Sequence, residues 1–226
     1  MSGQTAHPKA RPRLAPALLV AQVLAALLVG LGGAAPGAGA TPAPATVGDP
    51  ALMYSSFLGG ELGEIAYAIA LDRDNNVYIA GQTESRSDFP VLRPRLSFEQ
   101  PTDLFVAKLR ADGTLVYSTR FGGEEGHDAA HGIAVDEEGN VYVTGYTTAA
   151  DFPVTPDAHQ RSFGGGAADA FVVRLDRLGQ RTYSSFLGGS GDDRAFDLAR
   201  TAEGDLYIVG ATTAGLSAGS NPQPAL

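Results

Sequence analysis

From residue 64 onward, short apolar runs alternate with tight polar turns. The runs at 66–71, 132–135 and 195–199 are each followed by a five-residue polar stretch and then by a run ending in glycine. Those second runs are Val77-Tyr78-Ile79-Ala80-Gly81, Val141-Tyr142-Val143-Thr144-Gly145 and Leu206-Tyr207-Ile208-Val209-Gly210. Their β-branched and aromatic content predicts strands. The polar stretches, 72–76, 136–140 and 201–205, carry Asn75, Gly139 or Gly204 at the fourth place. These residues accept the positive φ that a tight hairpin requires, so each apolar run should pair antiparallel with its successor. A third strand is predicted at 103–109 and 169–175, and Ala111-Asp112-Gly113 turns the chain into a fourth at 115–119. Residues 77–80 and 171–173 are apolar at consecutive positions, the pattern of a strand covered on both faces.

The whole pattern recurs. Tyr54-Ser55-Ser56-Phe57-Leu58-Gly59-Gly60 returns letter for letter as Tyr183-Ser184-Ser185-Phe186-Leu187-Gly188-Gly189. A near copy, Tyr117-Ser118-Thr119-Arg120-Phe121-Gly122-Gly123, lies between them. A fixed long period makes the repeat the unit of folding. Four antiparallel strands in about 65 residues form one blade of a β-propeller. A β-helix or solenoid is the competing architecture, but its coils are shorter and are not built from hairpins. The fold class expected is all-β: four-stranded antiparallel blades, about two and a half of them, in an incomplete ring. The organisation expected is an export signal over 1–40, a Pro/Ala linker over 41–53, propeller repeats over 54–116 and 117–182, a partial repeat over 183–213 and a disordered tail over 214–226. Asp88-Phe89-Pro90 and Asp151-Phe152-Pro153 open long Pro-containing loops, since proline ends strand pairing. In the third repeat Ala214-Gly215-Leu216 stands in that place.

These strings closely resemble the bacterial SBBP repeat, the seven-bladed β-propeller repeat. The shared features are a Tyr-Ser-Thr-x-Leu-Gly-Gly opening, an Ala-Val-Asp…Gly-Asn-Val-Tyr-Val-Thr-Gly middle, an Asp-Phe-Pro loop and an Asp-Ala-Phe-Val-x-Lys-Leu strand. The second repeat matches most fully, through Ile133-Ala134-Val135-Asp136, residues 139–145, Asp151-Phe152-Pro153 and residues 169–175. The resemblance covers 54 to about 213 and implies an exported bacterial propeller. It brings no catalytic residue, because its motifs are turn and core positions. A closed propeller takes about four to eight blades. Three readings of the shortfall stand side by side: a truncated gene product, a ring completed by oligomerisation, or a minimal open array. An open stack exposes blade faces and strand edges, which favours self-association.

The first forty residues differ in kind. Lys9, Arg11 and Arg13 precede an apolar stretch over 14–31, and Ala38-Gly39-Ala40 supplies a small-x-small cleavage pattern. This reads as a secretory signal cut after Ala40, with a membrane anchor as the alternative. Secretion or residence in the cell envelope follows. Residues 41–226 hold 13 Lys and Arg against 25 Asp and Glu. That balance argues against nucleic acid and anionic membrane surfaces as partners. With no cysteine, burial alone must hold the fold.

Candidate chemistry is sparse. His127 and His131 are four apart, but on a strand that spacing spans about 13 Å, so the pair reads as a polar loop with a surface histidine. Asp72-Arg73-Asp74-Asn75-Asn76 begins like a calcium loop, yet lacks the distal glutamate and reads as a hairpin turn. Glu61 and Glu64, then Glu124, Glu125 and Asp128, then Asp192 and Asp193 recur after Gly-Gly. They read as a solvated acidic rim, with calcium as the ion they would suit. Gly164-Gly165-Gly166 reads as a loop hinge. No zinc-protease motif or P-loop is present. The expectation is therefore a non-catalytic scaffold with no catalytic, cofactor or metal residue, binding a protein or glycan partner through the loops 91–102 and 154–168. A secreted lyase or hydrolase completed by another chain is the alternative.

Overall fold

The computed structural model describes residues 55–85, 88–92 and 102–214. The export signal, the linker, the middle of the first Pro-containing loop and the tail beyond Ala214 lie outside the described residues.

Ten strands form three antiparallel sheets. The first contains β1 (Glu64–Leu71), β2 (Val77–Thr83), β3 (Asp103–Leu109) and β4 (Leu115–Phe121), in that order. The second contains β5 (Asp128–Val135), β6 (Val141–Thr147), β7 (Asp169–Leu175) and β8 (Arg181–Leu187). The third is the pair β9 (Asp193–Arg200) and β10 (Leu206–Thr212). The result is all-β: two complete blades and the first half of a third, in an unclosed array among the described residues.

The hairpins obey the turn chemistry. Positive φ falls on Asn75 (60°), Gly139 (82°) and Gly204 (105°). In the first turn Asp72 Oδ1 accepts from the amides of Asp74 and Asn76 at 3.0 and 2.9 Å, and Oδ2 from the Tyr78 hydroxyl at 3.0 Å. Asp136 repeats this with Glu138, Asn140 and Tyr142. Each aspartate thus ties its own turn to the start of the following strand.

Every first strand is bulged at the same place. Registers slip between Ala66 and Ala68, between Ala130 and Gly132, and opposite Val209 and Gly210, which leaves Tyr67, His131 and Phe196 as the extra residues. A bulge pushes the backbone toward the partner strand. A Cβ on Gly81, Gly145 or Gly210 would overlap the carbonyl oxygen of Ile65, Ala129 or Arg194. This is why each second strand carries glycine at its fifth position and continues past it to a threonine.

The sequence repeat and the blade are out of phase by one strand. Tyr117–Phe121 opens the second repeat in sequence, yet it pairs with β3 as the last strand of the first blade. Blades stack through their first strands: β5 packs against β1, β2 and β3, and β9 against β5, β6 and β7. Between them lies one core that includes Tyr78, Leu104, Phe121, Phe152, Phe171 and Phe186, none more than 2% exposed. Each such aromatic contributes about 2–3 kcal/mol by burial. The middle blade is covered on both faces, so β6 is buried at every position but one, whereas β2 of the first blade is buried at four of its seven.

The Pro-containing loops close blade edges. Thr155 N donates to Ser184 O at 3.0 Å and Phe186 N to Gln160 O at 3.1 Å, so the loop over 154–168 lies along the free edge of β8. In the first blade Leu92 and Ser118 exchange both backbone bonds at 3.1 Å, covering β4 in the same way. An uncovered edge would invite pairing with other chains.

Candidate functional site

Two constellations draw side chains from more than one blade. The first is built by the bulges. His131 stacks on Tyr67 of the neighbouring blade with ring centroids 4.2 Å apart, and on Tyr146 at 5.4 Å. Phe196 meets His131 edge-on at 6.4 Å, and the Arg194 guanidinium lies 4.4 Å over Tyr146. Burial lowers the His131 pKa, and the Arg194 charge lowers it further, so the imidazole is neutral at pH 7. The arrangement is a column of ring faces with one cation. Such faces stack well on sugars and planar groups.

Of the two histidines only His131 joins the column. His127 is exposed and sits outside the strand, while His131 is half-buried in the column. The bulge breaks the two-residue alternation on which the strand spacing argument relied. Tyr67 and Phe196 were missed, because a bulge is visible only against the register of a partner strand.

The second constellation lies at the start of the first strands, where Tyr146 and Arg194 of the column stand one register position from Asp128 and Asp193. Asp128 opens β5 and Asp103 opens β3 of the preceding blade, each 1% exposed. Asp193 and Asp169 form the same pair at the next junction, at 1% and 0%. Backbone bonds join the junctions, from Asp128 N to Thr102 O at 3.2 Å and from Asp193 N to Ala168 O at 2.7 Å. Gly122 sits on the first pair, where a Cβ would overlap both Asp128 Oδ2 and Asp103 Oδ1. The amides of Gly123 and Gly189 donate to Asp128 and Asp193 at 2.9 and 2.7 Å. Burial raises the Asp128 pKa to about 7, and the Asp103 charge adds to the rise. Asp169 is raised for the same two reasons, burial first and then Asp193.

The two junctions neutralise their third-strand acids differently. Arg120 Nε reaches Asp103 at 3.0 Å, both groups being buried. At the other junction Phe186 occupies the place of Arg120, and Asp169 instead accepts from Gly164 N at 2.6 Å and Gln160 Nε2 at 3.2 Å. The glycines at 164–166 therefore bring backbone amides to a carboxylate.

The rim acids divide accordingly. Glu61, Glu124 and Glu125 are exposed, whereas Asp128 and Asp193 are interior, which corrects their reading as solvated rim residues. Among the described residues no group of three or more His, Asp or Glu side chains is arranged to hold a metal. The Asp-Phe-Pro motif is structural as well. Asp151 Oδ2 accepts from Glu124 N at 2.7 Å, and Phe152 stacks on Phe171 at 4.9 Å. Asp88 and Phe89 repeat both contacts, on Glu61 N and on Phe105. At the turn end, an open cleft of about 240 Å³ is lined by five carboxylates, among them Asp72 and Asp136, and by the cations Arg73, Lys108 and Arg177.

Two segments, 54–90 and 116–153, match the family model described as SBBP, beta-propeller repeat. The chain carries SBBP repeats. Each matched segment holds the Gly-Gly loop, the bulged first strand, the second strand with its glycine opposite the bulge and the Asp-Phe-Pro motif, so the SBBP signature records the contacts that build and join blades. A relative among characterised proteins is the regulatory protein FlaEY of Caulobacter vibrioides, 23% identical over 172 residues. The match covers 75% of this chain and 18% of that protein.

Proposed function

We propose that the chain is a non-catalytic interaction scaffold, exported by its basic and apolar N-terminal segment and working at the cell envelope or outside the cell. The observation that supports this is where the recurring side chains are used. The turn aspartates, the Gly-Gly pairs, the junction carboxylates and the Asp-Phe-Pro motifs are all engaged in holding blades. The exposed features that differ between repeats are left for a partner. They are the loop over 154–168, with exposed His159 and Arg161, and the ring column of Tyr67, His131 and Phe196. A rigid scaffold carrying variable loops suits a protein partner, and the ring column suits a glycan. The name of the Caulobacter relative, a regulatory protein, fits a binding role.

Cell fractionation with intact-cell cross-linking tests the proposal. A processed chain beginning at Thr41 should be recovered outside the cytoplasm, cross-linked to a partner. Arg161→Glu or Tyr67→Ala should reduce that cross-link without changing the circular dichroism. A full-length chain confined to the cytoplasm, or one that hydrolyses or cleaves polysaccharide in a metal-dependent way, would sink it.

A further inference from the structure

The faces by which blades stack can be assigned residue by residue, because directly opposed residues of an antiparallel pair share a face. In the second blade Ile133 opposes Val143 and Val135 opposes Val141. In the third, Leu198 opposes Ile208 and Arg200 opposes Leu206. This front face meets the preceding blade: the Arg200 guanidinium lies 5.2 Å over the Tyr142 ring. The back face of the second blade carries Ala134 opposite Tyr142 and Gly132 opposite Thr144. It receives the next blade, since a Cβ on Gly132 would stand 2.8 Å from Asp197 Cα. The chain builds this back-to-front contact twice. Both times it is dry: Tyr78 and Ala80 of the first back face are 0% exposed, and Tyr142 and Thr144 of the second are 1% and 0%.

Among the described residues, two halves of the same contact are left over. The front of the first blade presents Ile69 opposite Ile79 and Leu71 opposite Val77, with Ile69 and Leu71 47% and 43% exposed. The back of the third blade presents Tyr207 opposite Ala199 and Val209 opposite Asp197, with Tyr207 and Val209 62% and 61% exposed.

We infer that the back of the third blade receives the front of the first blade of a second copy of this chain, head to tail. The occupant is identified by continuity with the contact already built twice. What a back face binds in this molecule is a front face, and the front face that the described residues leave uncovered belongs to the same chain. Leu71 occupies the strand position of Val135 and Arg200, which at the two internal junctions lies on the face turned to Tyr78 and Tyr142; in the assembly it meets Tyr207. Asp197 stands where the other back faces carry Ala68 and Gly132, and an inward-facing charge of this kind weakens docking. A heterologous contact closes into a ring or continues as a filament. The inference stands on blade geometry and not on the export or partner reading.

Light scattering of the full chain across a concentration series tests it, with Ile69→Asp blocking the front and Val209→Asp blocking the back. Ile69 is 47% and Val209 61% exposed, and circular dichroism checks that strand content is kept. The wild-type mass should rise above that of the monomer with concentration. Each variant alone should stay monomeric, while an equal mixture of the two should form a species of two chains and nothing larger, because one open front and one open back remain. Asp197→Ala should move the association to roughly tenfold lower concentration, the effect of removing one unpaired charge from a contact. A wild-type chain that stays monomeric at its highest soluble concentration overturns the inference. So does either blocked variant that still self-associates, since that contact would be like-to-like or would lie elsewhere, such as in the apolar N-terminal segment.

Discussion

The same seven letters, Tyr-Ser-Ser-Phe-Leu-Gly-Gly, occupy two physical states in this molecule. At 183–189 they run through β8, where Ser184, Ser185 and Phe186 oppose Val173, Val172 and Phe171 of β7, and Phe186 is 1% exposed. At 54–60, residues 55–60 form no strand, and Phe57 is 91% exposed. The local sequence is identical, so intrinsic propensity cannot account for the difference. The partner strand does, together with the loop that closes over the outer edge of β8. Strand preference measures fit to a half-buried surface more than a property of the backbone.

The largest expected effect breaks the comparison directly. Phe186→Ala should cost about 3–5 kcal/mol in a denaturant titration, whereas Phe57→Ala should stay within about 0.5 kcal/mol. Equal costs would mean that the first copy is packed in solution.

A second effect separates the near copy at 117–123 through the carboxylate that follows it. Asp128 has a folded pKa of about 7 against 3.8 for the free side chain. The folded state therefore binds more protons than the unfolded state between those values, and stability should fall as pH rises from about 4 to about 7. The loss should reach a few kcal/mol, the size of a shift of about three units. Asp128→Asn should remove most of that slope. Asp72 and Asp136 act in another window. Burial pushes both up, but hydrogen bonds from Asn76 and Tyr78, or from Asn140 and Tyr142, outweigh it and hold them low. Their contribution is present above about pH 4 and is lost only below it. A stability profile that rises between pH 4 and 7 would contradict the Asp128 assignment.

Glycine sharpens the comparison at smaller amplitude. Gly122→Ala places a methyl group on two buried carboxylates, while at Gly59 the methyl meets only the end of the Glu64 side chain. The first should cost about 1–3 kcal/mol and the second under about 0.5 kcal/mol. The smallest effect expected is at the ion pair of Arg73 and Glu137, whose side chains are 77% and 64% exposed. Arg73→Ala should change stability by less than about 0.5 kcal/mol, and less still at high salt.

The sequence made the hairpins legible because a five-residue turn with Asn75, Gly139 or Gly204 at its fourth place leaves the chain little choice. It made the blade legible because the period is long and the strands are short. The ring column was hidden, since Tyr67, His131 and Phe196 look like ordinary strand residues until a register slip turns them. The junction acids were hidden for another reason. Asp103 and Asp128 lie in different repeats, and nothing local to either marks it as one of a buried pair. The Gln160 contacts to Ser185, Phe186 and Asp169 likewise depend on where a variable loop lands, which its composition does not specify.

The one-strand offset between sequence repeat and blade has a consequence for how such a gene can grow. A duplication cut at each Tyr-Ser motif delivers the last strand of one blade and the first three of the next. Inserted anywhere in the array, it finishes the sheet upstream and leaves the sheet downstream ready for the same completion. The array can lengthen or shorten by whole units of 63 to 66 residues with no seam to repair, so copy number is free to drift while every internal joint stays intact.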